Sequence, residues 1–281
     1  MEFGDEDHPS WLSSPMGVFA QSHDGIEIPG DLDTLATESP HIHNMGATSQ
    51  KDPELLGLAR TLENTPWCEN YELMVSGMMY NPVDPVLVEG RHRGRRLARE
   101  FNDLDHREHT VDEISEKKTE VLQRMLGAVG TGTYIEAPLF VDYGCNVIFG
   151  KNCFANFNLT ILDVSLVIIG DRVQFGPNVS IYCAGHDTSV LSRIKFVEYG
   201  LPVRIEDDCW IGGGTIILPG VTIGRGTTVG SGAVVTKSLP PYSVAVGSPA
   251  RVIKTLQTVE EELADPANPY RDLPGNLPDR E

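Results

Sequence analysis

His186 is the only histidine after His109 in the 281-residue chain. It stands in a polar stretch, Tyr182 to Pro202, that interrupts a regular run of aliphatic residues. An imidazole has an unperturbed pKa of about 6.5, so much of it is neutral and able to accept a proton near pH 7. A loop histidine by itself is more often a plain surface residue than a base. Five arginines, Arg91, Arg93, Arg95, Arg96 and Arg99, fall within nine residues. They read either as a solvated face meeting nearby acids or as an anion or substrate contact at the mouth of a site. The five cysteines form no C-x-x-C pair, so neither a disulfide framework nor a zinc knuckle fits, and reduced thiols are expected.

Charge narrows the partners. The chain carries 40 acidic and 22 basic side chains, net −18. A surface this acidic repels phosphate backbones, so nucleic acid is not expected as a partner. No apolar run reaches the ~20 residues that a membrane-spanning helix needs. The first thirty residues lack the pattern of a secretory or mitochondrial signal, and a cytoplasmic location is expected. The acidity is peripheral: residues 1–66 hold 12 acids and 2 bases, and residues 257–281 hold 7 and 2. We expect a disordered acidic leader over 1–51 and an irregular acidic tail over 257–281.

The elements that must position any chemistry lie between these ends. Leu55, Leu56, Ala59 and Leu62 follow a helical period, with Asp52 as N-cap and Pro53 in the first turn. Further helices are expected from Pro85 to Phe101 and from Val111 to Leu126, the last capped by Thr110 or Asp112. Together they make a helical domain over 52–130.

Beyond it the pattern changes to a period of six. Ile205, Ile211, Ile217, Ile223, Val229 and Val235 fall six residues apart, and small or β-branched residues follow four places later at Cys209, Thr215, Val221, Thr227 and Ala233. An α-helix does not hold aliphatics at a strict interval of six, and a half-buried strand alternates every two. Short strands joined by turns explain the interval, each sending one aliphatic side chain into a shared core. Ile169, Phe175 and Ile181 keep the same phase, while Phe149, Ala155 and Ile161 form an upstream series offset by two residues. A loop inserted at one place in such a coil usually lies on its binding face, which directs attention to His186.

These residues resemble the hexapeptide-repeat acyltransferases, in the maltose/galactoside O-acetyltransferase branch. The resemblance runs over roughly 70–256. It rests on Ser76-Gly77-Met78-Met79-Tyr80, the arginine-rich helix, Asp142-Tyr143-Gly144-Cys145-Asn146, Phe154-Ala155-Asn156-Phe157-Asn158 and Gly185-His186. It continues through Trp210-Ile211-Gly212-Gly213 and Gly232-Ala233-Val234-Val235-Thr236-Lys237 to Ser248-Pro249-Ala250-Arg251.

The resemblance implies a mainly β fold, a left-handed parallel β-helix over 131–256 preceded by the helical domain. It implies a homotrimer with each active site between neighbouring prisms, and acetyl-CoA as co-substrate with no metal. It implies His186 as general base with Glu198 holding its second nitrogen, a backbone carbonyl being the alternative. Asn156, Asp163, Asp142 and Arg91 would meet a small-molecule hydroxyl acceptor such as a sugar. Asp163 stands at the register shift, so closing a turn is its alternative role. Gly213, Ser231, Thr236 and Trp210 would line the pantetheine groove, and Lys237, Arg251 and Lys254 would meet the phosphates. Two other classes compete with this reading. A zinc-dependent carbonic anhydrase on this fold needs several converging histidines, and a silent trimeric scaffold needs none of these residues. Within the enzyme class, an amine or a non-sugar alcohol is the alternative acceptor.

Overall fold

The computed structural model describes residues 47–104, 107 and 109–273. The leader expected over 1–51 falls almost wholly outside these residues. Four helices come first: α1 (Pro53–Ala59), α2 (Glu69–Val75), α3 (Pro85–Asn102) and α4 (Val111–Met125). The Asp52 carboxylate accepts from the Glu54 and Leu55 amides at 2.9 and 3.0 Å, closing the start of α1 as expected. Of the two caps considered for α4, Thr110 is the one used, in a reciprocal capping box with Glu113. The helix α2 is an addition to the sequence reading. Its seven residues bury Tyr71, Met74 and Val75, and its cap is the unusual Cys68 sulfur.

From residue 128 the chain winds through about six coils of a parallel β-helix. The first face stacks Ala128–Val129, Val147–Phe149, Val167–Ile169, Val203–Ile205 and Thr222–Ile223. The second stacks Tyr134–Ile135, Phe154–Ala155, Gln174–Phe175, Trp210–Ile211, Thr228–Val229 and Ser243–Val246. The third stacks Leu139–Val141, Leu159–Leu162, Ser180–Tyr182, Ile216–Ile217 and Val234–Val235. Three hexads make one coil, so equivalent residues pair 18 positions apart: Ile205 with Ile223, Ile211 with Val229, Ile217 with Val235. All six anchors are buried, and so are the five small residues that follow them. Each fully buried aliphatic contributes roughly 1.5–3 kcal/mol, which makes the stacked row the spine of the fold.

The two-residue offset has a structural cause. Upstream partners such as Phe149 with Ile169 and Ile161 with Ile181 are twenty apart, because the corner between the third and first faces takes two extra residues per coil. One coil later the same corner expands into the stretch Tyr182–Pro202. Ile181 and Ile217, which pair directly, are therefore separated by two hexad coils' worth of sequence. The insertion equals one coil in length, which preserves the phase of the repeat on both sides.

Helix α3 rests on this corner through Gly94, where a Cβ would lie 2.5 Å from the Tyr143 carbonyl oxygen. The inserted loop carries a short helix, α5 (Val190–Ile194). After the last coil, Arg251–Thr255 turns back antiparallel on Ser243–Val246. Within the tail expected to be irregular, Val259–Ala264 forms a short helix, α6, opened by a Thr258–Glu261 capping box; residues 274–281 lie outside the described residues.

Candidate active site

The inserted loop is clamped at its base by a two-residue antiparallel ladder, Ala184 with Gly200 and Gly185 with Tyr199. Continuing that register by one residue sets His186 opposite Glu198. Their side chains do meet, with imidazole Nε2 4.0 Å from the Glu198 carboxylate. Gly185 is required in this stalk, because a Cβ there would lie 2.5 Å from the Tyr199 ring. The imidazole itself is half-exposed, so a substrate can reach it.

Glu198 is held from its other side by a residue the sequence reading did not assign. The Tyr80 hydroxyl donates to Glu198 Oε2 at 2.9 Å, and the Tyr80 amide donates to the Glu198 carbonyl at 3.0 Å. Tyr80 is almost fully buried, and burial pushes its phenol well above the ordinary tyrosine range, so it remains a donor. The three side chains form a line: a protonated phenol, a carboxylate and an imidazole open to solvent. Asp187 is engaged locally, its carboxylate accepting from the Ser189 amide at 2.7 Å ahead of α5.

The corner beneath the loop gathers Arg91, Asp142 and Asp163. The Asp163 carboxylate is completely buried and accepts from the Asp142 and Tyr143 amides at 2.9 and 3.0 Å. It closes the corner, the alternative role at the register shift, and has no surface on which to meet an acceptor. Desolvation dominates its environment and pushes its pKa up to about 7. Asp142 is ion-paired with Arg95 at 2.8 Å. Arg91 donates to the Tyr143 hydroxyl at 2.7 Å and to the Pro82 carbonyl at 2.6 Å. The arginine run is therefore largely a packing device, fastening α3 to the corner.

The remaining residues lie elsewhere on the prism. Asn156 sits between the second and third faces, in the turn between Phe154–Ala155 and Leu159–Leu162. Its Oδ1 accepts from the Phe157 amide at 2.9 Å. Gly213 and Ser231 occupy the same edge in later coils, and the Gly232 amide bonds the Gly213 carbonyl at 2.9 Å. Trp210 projects from the second face and is half-exposed. Thr236 and Lys237 lie at the corner from which the His186 loop springs, two coils further on. Within a single chain, then, His186 is on the edge between the third and first faces, while Asn156, Gly213 and Ser231 are on the edge between the second and third.

Arg251 and Lys254 lie exposed on the returning strand, paired in register with Val246 and Val244. Among the described residues neither they nor Lys237 has an ion-pair partner. No group of three or more His, Cys, Asp or Glu side chains able to hold a metal occurs among the described residues.

Comparison with known proteins identifies the family. Residues 73–130 match the maltose acetyltransferase hexapeptide capping motif, and residues 202–237 match the bacterial transferase hexapeptide family of six repeats. The sophorolipid acetyltransferase of Starmerella bombicola is 38% identical over 237 residues, 82% of this chain and 92% of that protein. A maltose O-acetyltransferase from Clostridium difficile 630 superposes with a TM-score of 0.64 at 42% identity, covering 68% of this chain and 99% of that one. A galactoside acetyltransferase solved in complex with coenzyme A gives a TM-score of 0.61 at 34% identity, over 68% and 92% of the two chains. The chain belongs to the hexapeptide-repeat acetyltransferases, in the maltose/galactoside O-acetyltransferase branch.

Proposed function

We propose that this enzyme moves the acetyl group of acetyl-CoA onto a hydroxyl of a sugar or related small molecule, with His186 as general base. The observation that carries the reading is the cross-strand pairing of a half-exposed His186 with Glu198 at the root of the inserted loop. The imidazole nitrogen turned away from Glu198 takes the acceptor's hydroxyl proton as the oxygen attacks the thioester carbonyl. Glu198 stabilises the imidazolium so formed. Collapse of the tetrahedral adduct breaks the carbon–sulfur bond, and the imidazolium returns the proton to the departing thiolate. The similar proteins are named for maltose, galactoside and sophorolipid, which supports a sugar hydroxyl as acceptor.

The coenzyme supplies the activated acetyl group when bound. Arg251 and Lys254, with Lys237 from a neighbouring copy, would meet its phosphates, and Gly213 and Ser231, flanked by Trp210 and faced by Thr236 of the neighbouring copy, would leave room for its arm. Placement of His186 and Asn156 on different edges supports a site shared between two copies, and hence a homotrimer. Five free thiols support a reducing compartment, the cytoplasm.

His186→Ala tests the reading. CoA release with a sugar acceptor should fall by at least ~10²-fold, the usual scale for a general base. Turnover unchanged from the parent enzyme would remove His186 from the mechanism.

A further inference from the structure

The end of α5 is unusual. The Val197 amide bonds the Ser192 carbonyl and the Phe196 amide bonds the Arg193 carbonyl, the paired bonds of a Schellman motif. The residue at its left-handed position is ordinarily glycine. Here it is Phe196, at φ +52°. A bulky side chain at positive φ is strained, and strain persists where something other than the local fold requires the side chain. The fold does not bury this ring, which is 77% exposed.

What the ring does line is a cavity of about 320 Å³ shared with Met79, Tyr80, Asn81 and Val197. The cavity adjoins the catalytic pair: Val197 precedes Glu198 in sequence, and Tyr80 both lines the cavity and holds the Glu198 carboxylate. Phe196, Met79 and Val197 are its apolar lining, and Asn70, Asn81 and Lys195 line it with polar groups.

Resting on the acetyl transfer proposed above, we propose that Phe196 is a specificity-determining residue. Its ring forms an apolar platform for the non-sugar substituent of an amphiphilic glycoside, whose sugar hydroxyl points to His186. The enzyme accordingly prefers acceptors that carry an alkyl or acyl group beside the sugar. The strained backbone is retained because glycine, the relaxed choice, would remove the platform.

Two variants, Phe196→Gly and Phe196→Asn, test this, since both residues tolerate a left-handed backbone. The probes are methyl β-glucoside and hexyl β-glucoside, which differ only in the alkyl group. The parent enzyme should favour the hexyl glycoside in kcat/KM, and each variant should lower that preference about tenfold, chiefly through KM. Activity on the methyl glycoside and the size of the oligomer should stay the same, and the melting temperature of Phe196→Gly should not fall. Equal losses on both glycosides, no loss on either, or a smaller oligomer would overturn the proposal; the last would make Phe196 a contact between copies. Calorimetric titration of hexyl β-glucoside into the intact protein needs no turnover. Binding by the parent that is weakened in both variants supports the platform even if no acetyl group is transferred. Equal binding by parent and variants overturns it.

Discussion

Tyr80, Glu198 and His186 work as a line in which each member fixes the next. A hydrogen bond to a charged group contributes about 1.5–3 kcal/mol, and loss of the Tyr80 hydroxyl leaves the carboxylate free to swing from the imidazole. Tyr80→Phe is expected to lower kcat by about tenfold or more. KM for acetyl-CoA should not change, since the phenol bonds Glu198 and none of the proposed coenzyme contacts; initial-rate kinetics with both substrates separates the two constants. Asp163 offers a second test, of stability. Its folded pKa, about 7, lies above the ordinary value of 3.8, so the folded state holds its proton more tightly than the unfolded state. The stability it contributes is full below pH 4 and is lost as pH rises towards 7. Asp163→Asn removes this titration, so the variant should gain stability relative to the parent between pH 5 and pH 8. Denaturant unfolding at the two values measures the change, and a gap that stays constant would contradict the assignment.

At the scale of elements, the hexads hold the coil together through one aliphatic side chain per strand. Ile217→Ala in the middle of the stack should cost about 2–5 kcal/mol, read from chemical denaturation, because the neighbouring coils cannot collapse into the space. The period of six made the coil legible in sequence, and the phase shift marked the corner where extra residues enter. It also marked the loop, because an insertion one coil long leaves the repeat on both sides intact. The base of the loop was less legible. Glu198 was reached by resemblance, although the register of the two-residue ladder is what sets it opposite His186. Tyr80 was missed because it lies 118 residues away from Glu198, and nothing local to either residue records the contact. Helix α2 is too short to show a period, whereas α6 was read as irregular tail although Thr258 and Glu261 stand at capping-box spacing. Asp163 was ambiguous for a physical reason: a carboxylate beside a turn serves a ligand or the turn's own amides, and only its burial decides.

The whole molecule places its chemistry on two edges of one prism. His186 and its supports stand where the third face meets the first, whereas Asn156, Gly213 and Ser231 stand where the second meets the third. A side chain on one edge cannot reach a groove on another across a packed core. Neighbouring copies standing side by side would bring the two edges together. On this account the catalytic base of one copy serves the acceptor and coenzyme groove of the next, and the third face separates two half-sites that belong to different active sites. On the proposed reading, coil and oligomer are parts of one design, with stacking spacing residues along an edge and assembly joining the edges.

The most direct test mixes two inactive variants. His186→Ala and Asn156→Ala are each expected to lose most CoA release when assembled alone. Unfolded together at equal amounts and refolded, they form mixed assemblies. A site is whole only when its histidine comes from an Asn156→Ala copy and its asparagine from a His186→Ala copy. Random mixing makes that true of about one site in four, so activity should recover to about a quarter of that of the parent enzyme refolded in the same way, by mass-action counting of mixed oligomers. Assemblies shown to contain both variants, yet no more active than either alone, would contradict a site shared between copies.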